Sequence, residues 1–469
     1  MQGFRPRQYT MSSIETACTR AVSSYHCNLP AVAVYWYITS GLDWGDNLTN
    51  LQKRQCTSSW QLSTNLPDFC GVQGHGAYRK HVLNHLDLHN ILSVFQHGFR
   101  KAHSCESQLL LTLNDLVYSY DQKTQTDVAI LDFSRAFDTV PHERLLGKVD
   151  HYGIRGETKT WLRSFLCNRQ MWVARVESGV PQGTVLGPLL FLLFINDLPQ
   201  QISPGTVTRL FADDCLVYRE IRSPEDQVIL QRDLYALDSW ATKWGMRFNP
   251  TKCNTMKICR STSPLSKLYD LCGVLLEEVE HAKYLGITIS SNLEWGNQKD
   301  VIARKASNTL NFLKRNLKYC PKQAEQTAYF SLVRPTMEYS GAIWDPHFKK
   351  DKDKLEKVNR RAARFVANNY EQQSSVTAIL EKLEWPSLEK RRQNQRFVLM
   401  YKTVHNLVAV PSSSLVPADP RTRAHHSYKF RTISTNTPQR KNSFFPRTIP
   451  QWNALNRTCL LYTSPSPRD

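Results

Sequence analysis

Runs of apolar residues along the chain predict alternating strands and helices. Residues 128–131 form a fully apolar run of strand length that ends at a carboxylate, Asp132. The apolar runs 207–211 and 215–218 flank Asp213 and Asp214, a pattern that predicts a tight hairpin with acidic residues in its turn. Helical spacing predicts helices at the following ranges: 81–91, 109–118, 141–148 and 223–244, with mainly helical chain over 297–375.

The acidic pair of the hairpin has two interpretations. Asp is common in solvated turns, and a lone Asp-Asp pair needs no further explanation. Beside an apolar core, however, adjacent carboxylates raise each other's pKa, and a divalent cation relieves the repulsion. Asp132 favours the second interpretation, because it lies at the end of a strand, where a rigid sheet can aim its side chain.

Several stretches together resemble the palm motifs of reverse transcriptases from non-LTR (LINE-type) retrotransposons. Three occur in the order and spacing of that family: LDFSRAFD at 131–138, SGVPQGTVLGPLLFLLFINDLP at 178–199 and FADD at 211–214. Further similar stretches are QHGFR at 96–100, WGMRFNPTKCNTMKI at 244–258 and YLGI at 284–287. The resemblance covers about residues 79–457 and implies an α+β fold, a right-hand polymerase palm with partial fingers and a helical, basic thumb and C-terminal region.

The resemblance also implies a two-metal site. Asp132, Asp213 and Asp214 correspond to the catalytic carboxylates that hold two Mg²⁺ ions, with Mn²⁺ as an alternative. The backbone carbonyl of Phe133 is implied as an additional ligand. In the family, one ion activates the primer 3′-hydroxyl and the other holds the triphosphate.

Other positions correspond to the family's nucleotide-binding residues. Phe137 matches the aromatic gate that excludes a ribose 2′-hydroxyl, although it could instead be ordinary core. Gln182 and Gly183 would pack against the nascent base pair. Lys252 would lie near the triphosphate and protonate the leaving pyrophosphate, or it is a solvated lysine at a strand start. Arg100 lies in a loop that the family places near template and nucleotide, where a basic side chain suits phosphate.

Composition agrees with a nucleic-acid partner. The 469 residues carry a formal charge of +19, which favours a polyanion. The family implies an RNA template, a DNA primer and deoxynucleoside triphosphates as partners. No apolar run reaches the length of a membrane span, and the 12 cysteines contain no CxxC pair, so we expect reduced thiols in an intracellular protein. For the family this means a ribonucleoprotein of nucleus and cytoplasm.

The predicted domains differ in how well they match the family. Residues 1–76 match nothing in the family and are expected to be poorly ordered. Residues 77–290 are expected to form the partial fingers and the palm, residues 291–375 the helical thumb, and residues 376–457 a C-terminal region of helices and loops. Within that last region, segment 411–450 is rich in Pro, Ser and Arg and is therefore expected to be loop-like. Residues 458–469 resemble a translated sequencing adapter.

Two departures from the family pattern bear on activity. The usual fingers stretch is not recognisable in residues 1–76, and the hairpin at 168–177 is several residues short. A register change turns side chains to the other face of a strand, so we expect nucleic-acid binding with little polymerisation. The alternatives are a catalytically inactive, nucleic-acid-binding fragment or a related palm polymerase, such as a group II intron maturase-like or a viral enzyme.

Overall fold

The computed structural model describes residues 72–167, 170–171, 174–175, 177–371, 373–412, 415–418 and 428–455. The leader expected to be poorly ordered (apart from its last few residues) and the adapter-like tail lie outside the described residues. The strands are, in chain order, β1 (Gln125–Leu131), β2 (Gln170–Met171), β3 (Ala174–Arg175), β4 (Thr206–Phe211), β5 (Asp214–Ile221), β6 (Asn254–Ile258), β7 (Asp270–Leu271), β8 (Val274–Leu275), β9 (Glu277–Glu278), β10 (His281–Tyr284) and β11 (Ile287–Ser290).

Helices precede, separate and follow these strands. They are α1 (Val72–Leu88), α2 (Cys105–Asp121), α3 (His142–His151), α4 (Gly156–Cys167), α5 (Gly187–Ile195), α6 (Pro224–Trp244), α7 (Gly296–Asn316), α8 (Lys322–Ala328), α9 (Arg334–Glu338), α10 (Lys349–Ala367), α11 (Val376–Lys382), α12 (Leu388–Val404), α13 (Pro438–Lys441) and α14 (Phe444–Asn453). A π-helical turn, Tyr329–Val333, joins α8 to α9. The long helical stretch after the sheet agrees with the helical thumb expected from the sequence.

The central sheet has the strand order β4-β5-β1-β6-β9. The pairs β4–β5, β5–β1 and β1–β6 are antiparallel, and β6–β9 is parallel. Short antiparallel pairs, β2–β3, β7–β8 and β10–β11, lie outside this sheet. An antiparallel sheet with helices on its faces is the α+β palm architecture that the sequence predicted.

A hydrophobic core lies on each face of the central sheet. Each strand contributes to both cores, because its successive side chains point to opposite sides of the sheet. Ala129 and Leu131 of β1 join a core formed with α1 and α3 to α6, as does Val217 of β5. Val128 of β1 and Leu216 of β5 join the other core, formed with α2 and the helices that follow the sheet. The uninterrupted apolar run of β1 follows from this double burial.

Most predicted helices are confirmed, with one shifted boundary. α6 begins after Ser223, which forms a capping box with Asp226, and α2 begins after Ser104, which forms one with Ser107. α1 starts earlier than the apolar pattern indicated. Near its start, the ring of Tyr78 stacks on Trp161 of α4 at 4.2 Å.

The expected loop-like tail is partly wrong, because α13 and α14 form within it. Both helices begin with a residue that suits a helix start, and α14 buries apolar side chains such as Phe445 and Trp452. The segment is tied to α2: the Thr437 hydroxyl donates to Asp121 at 2.6 Å, and Arg440 donates to Asn114 at 3.0 Å.

A buried ionic cluster joins the C-terminal helices to the segment before α10. Asp345 is 4% exposed. It accepts from Arg392 Nε at 2.8 Å, contacts Arg447 Nη2 at 3.0 Å and also binds Arg396. Burial lowers the pKa of Arg396 to about 9 and that of Arg447 to about 10. One buried carboxylate is therefore shared by three guanidinium groups.

Candidate active site

The acidic pair lies on a tight turn at the end of β4 and β5. Phe211 pairs with Asp214, so Ala212 and Asp213 are the two central residues of the hairpin. Ala212 has a φ of 55°, whereas Asp213 does not have a positive φ. A positive φ at the first central residue only is the pattern of a type II′ turn, which matches the twist of the flanking strands. This turn presents Asp213 and Asp214 beside each other.

The third carboxylate follows the neighbouring strand. Leu131 of β1 pairs with Cys215 of β5 in antiparallel register, so the next residue, Asp132, comes opposite Asp214. Directly opposed residues of an antiparallel pair place their side chains on one face, about 5 Å apart at Cβ. The backbone of Asp132 is fixed by the Asn249 N–H, which donates to its carbonyl at 2.8 Å. The register thus brings the sequence-predicted acids together.

Electrostatic repulsion within this group is reflected in the carboxyl pKa values. Burial by surrounding protein, then the charges of Asp213 and Asp132, raise the pKa of Asp214 to about 7, and Lys283 acts in the opposite direction. Burial and the charge of Asp132 also raise the pKa of Asp213. Asp214 is nevertheless exposed to solvent, so its carboxyl is not a sealed group.

The three acids fit a divalent cation as far as ligand chemistry goes. Among the residues with described positions, no group of three or more His, Cys, Asp or Glu side chains is arranged to hold a metal ion. Mg²⁺ needs no such protein cage, because it takes one or two carboxylates and completes its shell with water and substrate phosphates. Oxygen ligands of raised pKa on a solvent-accessible wall suit that mode of binding.

Two cations stand close to the acids. The Nζ atom of Lys252 lies 3.6 Å from Asp132 Oδ2, and 67% of the lysine side chain is exposed. This position is compatible with either predicted role, a contact with the triphosphate or a solvated lysine. Lys283 on β10 was not identified from the sequence. The alternation of β10, which exposes Lys283 between buried Ala282 and Tyr284, is the signal that could have found it.

The aromatic residues after Asp132 take different positions. Phe133 is buried, and its ring stacks on Phe248 at 4.2 Å, so its side chain belongs to the core. Phe137 is only partly buried, and its ring stacks on Phe191 of α5 at 4.4 Å with an 18° angle between the planes. Phe191 is fully buried, so one face of the Phe137 ring packs against the hydrophobic core.

The Gly-Val-Pro-Gln-Gly loop packs against the same segment. The Val180 N–H donates to the Phe137 carbonyl at 2.8 Å. Gln182 is exposed and donates to Asp138 Oδ1 at 3.0 Å, and Gly183 has a φ of +74°. Gln182 and Gly183 are therefore next to the Phe137 segment, and Asp138 is the immediate partner of Gln182.

Arg100 has internal partners. Its Nη1 donates to the carbonyls of Ser93 at 2.6 Å and Gln96 at 3.3 Å, and the side chain is half-buried. It thus fastens the loop in which it lies. Gln96, the first residue of the QHGFR motif, contacts the acidic turn directly. Its side-chain oxygen accepts a hydrogen bond from the Ala212 N–H at 2.9 Å. The sequence indicates this contact only weakly, through a polar residue that lies just before the Gly98-Phe99-Arg100 stretch.

Exposed cations lie on two helices after the sheet. Arg304 of α7 and both Lys357 and Arg360 of α10 are solvent-exposed. Arg361 is turned to a neighbouring helix, where it donates to Asn311 at 2.9 Å. The exposed subset can contact phosphate.

The adjacent cations Arg391 and Arg392 of α12 are expected from the basic pattern of the sequence to bind phosphate, but both have other roles. Arg392 is 1% exposed and belongs to the Asp345 cluster, so the prediction for this residue is wrong. Arg391 is engaged with Glu338, to which its Nη2 donates at 2.9 Å. A basic pair on an amphipathic helix does not reveal which of its charges will be buried by the tertiary fold.

The antiparallel sheet, the acidic turn and the opposed Asp132 define a palm of the nucleic-acid polymerase class. Residues 76–289 match the family described as reverse transcriptase (RNA-dependent DNA polymerase). This part of the chain is therefore similar to reverse transcriptases, and its curated relatives are RNA-directed DNA polymerases of transposable elements.

Curated relatives agree with this assignment. The chain is 30% identical, over 59% of its length, to a probable RNA-directed DNA polymerase from transposon BS of Drosophila melanogaster, and covers 33% of that relative. It is 26% identical, over 74% of its length, to the RNA-directed DNA polymerase from mobile element jockey of the same species, and covers 41% of it. The chain thus spans between a third and two-fifths of these relatives.

Among solved structures, apo telomerase from Candida tropicalis resembles the chain with a TM-score of 0.38 and 10% identity, over 71% of this chain and 54% of that one. At this TM-score the likeness adds nothing to the assignment. No described helix is both long and apolar enough to cross a membrane.

Proposed function

We propose that the chain is an RNA-directed DNA polymerase that adds deoxynucleotides to a primer 3′-hydroxyl. The observation that carries this proposal is the strand register that sets Asp132 opposite Asp214, beside the turn residue Asp213. Three carboxylates at one end of the sheet supply oxygen ligands. Nucleotidyl transfer depends on positioning and charge stabilisation more than on covalent chemistry.

The proposed cofactor is a pair of Mg²⁺ ions, with Mn²⁺ as an alternative, held by Asp132 and Asp213 and supported by Asp214. When bound, such ions neutralise phosphate charge and favour deprotonation of the attacking hydroxyl. The contribution of the chain is to hold its acids close together at the end of the central sheet. Metal use by the reverse transcriptase family supports this assignment.

The remaining residues are proposed to bind and select the nucleotide. Phe137, backed by Phe191, would set a rigid edge against the sugar. Gln182 and Gly183 would line the nascent base pair, and Lys252 would approach the triphosphate from beside Asp132. Arg100 would act through the loop that it fastens or through its own charge.

The proposed partners are an RNA template, a DNA primer and deoxynucleoside triphosphates. The charge of +19 and the exposed cations of α7 and α10 support phosphate contacts that are largely independent of sequence. The protein is proposed to be intracellular and to act as a ribonucleoprotein in nucleus and cytoplasm.

Primer extension tests the proposal. The chain is incubated with a labelled DNA primer on an RNA template, and on a DNA template for comparison, with Mg²⁺ or Mn²⁺. We expect slow, template-dependent extension that Asp213→Ala abolishes and that Asp353→Asn, at an exposed thumb carboxylate, leaves unchanged. Tight primer–template binding without any extension by the wild-type chain would instead establish a nucleic-acid-binding protein without polymerase activity.

A further inference from the structure

Gln96 clamps the backbone of the turn residue that precedes the acidic pair. Its side chain is 1% exposed. The amide oxygen accepts from the Ala212 N–H at 2.9 Å, and the amide nitrogen donates to the Ala212 carbonyl at 3.3 Å. The same oxygen also accepts from the Gly98 N–H at 2.7 Å. One primary amide thus satisfies both polar groups of one turn residue.

Ala212 needs such a partner for two reasons. Its φ of 55° lies in the left-handed region that non-glycine residues adopt at a cost, so the turn persists only if its surroundings hold it. Ala212 is also 2% exposed, so water does not replace a lost partner for its N–H or carbonyl without local opening. Gln96 supplies both partners from a separate segment of the chain.

The segment around Gln96 lies directly against the end of β4. The His97 N–H donates to the Leu210 carbonyl, and the Leu210 N–H donates to the Phe95 carbonyl, each at 2.9 Å. A Cβ atom on Gly98 would come within 2.4 Å of the Ala212 nitrogen. Only glycine permits this approach, which brings the Gln96 amide within reach of the turn.

The clamp also connects the turn to Arg100. Arg100 donates to the carbonyls of Ser93 and Gln96 and so fixes the loop from which the clamp extends. A continuous set of hydrogen bonds therefore joins the loop of Arg100, through Gln96, to the residue next to Asp213.

We propose that Gln96 is a positioning residue of the polymerase site, which fixes Ala212 and thereby the direction of the Asp213 and Asp214 carboxylates. This inference rests on the proposed function of those acids. Gln96 touches neither substrate nor reacting atoms, and it acts through the backbone of the turn. Loss of the clamp lets the turn relax and moves the carboxylates away from a shared cation.

The chain offers a matched control for a purely structural effect. Gln231 of α6 is 7% exposed and clamps another backbone in the same manner: its amide donates to the Asp270 carbonyl at 2.8 Å and accepts from the Asp270 N–H at 3.0 Å. Asp270 belongs to the short pair β7–β8, outside the central sheet that carries the acids. Gln96→Met and Gln231→Met therefore each remove one buried two-point clamp and retain an unbranched side chain of similar size.

The experiment measures Mn²⁺ affinity of the full chain by electron paramagnetic resonance of free Mn²⁺, together with thermal unfolding. We expect both methionine variants to unfold at similarly lowered temperatures, whereas only Gln96→Met weakens Mn²⁺ binding, by about 10- to 100-fold, the range for residues that orient metal ligands. Equal Mn²⁺ affinities in the two variants would overturn the inference. If Gln96→Met fails to fold, Gln96→Glu replaces it, since it keeps both accepted hydrogen bonds and, when ionised, loses only the donated one.

Two further measurements separate this inference from the proposed function. If Asp213→Ala binds Mn²⁺ as tightly as the wild-type chain, the acids do not form the metal site and the proposed function fails first. If Asp213→Ala loses Mn²⁺ binding, single-turnover primer extension by Gln96→Met should show a reduced maximal rate with little change in the primer–template Kd. A changed Kd with an unchanged rate would contradict a positioning role.

Discussion

Proton competition at Asp214 gives a quantitative prediction for metal binding. Burial and the charges of Asp213 and Asp132 raise the pKa of its carboxyl to about 7. A carboxylate binds a cation only after it loses its proton, so metal and proton compete for this side chain. The raised pKa means that the free site holds its proton below about pH 7. Divalent-ion affinity should therefore increase as the pH rises through that value.

The size of the change follows from the pKa. With a pKa of about 7, roughly a tenth of the Asp214 carboxyls are ionised at pH 6 and roughly nine-tenths at pH 8, so the apparent affinity should rise about tenfold. The Asp213 pKa is raised in the same direction, which steepens the dependence. In metal-free protein the same shift lowers the free energy of unfolding as pH rises from about 4 to about 7, because the folded state then binds more protons.

Isothermal titration of Mn²⁺ into the chain at pH 6, 7 and 8 measures this effect. Asp214→Asn should bind more weakly and show a flatter dependence on pH, and repeating each titration in buffers of different ionisation enthalpy should reveal proton release by the wild-type chain near pH 7. An affinity that is constant from pH 6 to 8, or an equal pH dependence in Asp214→Asn, would refute the reasoning.

The remaining predictions concern stability, nucleic-acid binding and sugar selection. Asp345→Asn leaves the buried arginines without their counter-charge and should lower the free energy of unfolding by about 3–5 kcal/mol in urea titrations, whereas the exposed Asp353→Asn should change it by less than ~0.5 kcal/mol. The logarithm of primer–template affinity, measured by fluorescence anisotropy, should fall linearly with the logarithm of salt concentration and vary little with nucleic-acid sequence. Arg360→Ala should make that slope about 0.7–0.9 shallower, and an unchanged slope would show that Arg360 does not contact phosphate. Phe137→Val should reduce discrimination against ribonucleotides by roughly tenfold in competing single-nucleotide additions, and unchanged discrimination would show that Phe137 is ordinary core.

Local sequence pattern was sufficient to predict the strands that carry the acids, and the resemblance of the motifs to reverse transcriptases implied the palm fold. The apolar run before Asp132 and the runs around Asp213 and Asp214 specify strands by length and pattern, and the structure pairs them as neighbours. The capped starts of α2 and α6 were also predictable, because a capping box depends on residues three positions apart. Signals of this kind are contained within a few consecutive residues.

Contacts between distant segments could not be predicted in the same way. No local pattern distinguishes Arg392, buried on Asp345, from an arginine that faces nucleic acid, because both lie on amphipathic helices. The helices α13 and α14 were expected as loop, since their prolines and serines suit helix starts as well as turns.

The sequence by itself determined that Asp132, Asp213 and Asp214 lie at the ends of strands, because apolar runs of strand length flank them, and the resemblance to reverse transcriptases implied that they share a site. The tertiary structure alone decided how those carboxylates are held. Gln96 lies 116 residues before Ala212, yet its amide holds both polar groups of that residue. Such a contact depends on the close approach of two backbones at Gly98, which arises only when the sheet and the preceding loop have packed together.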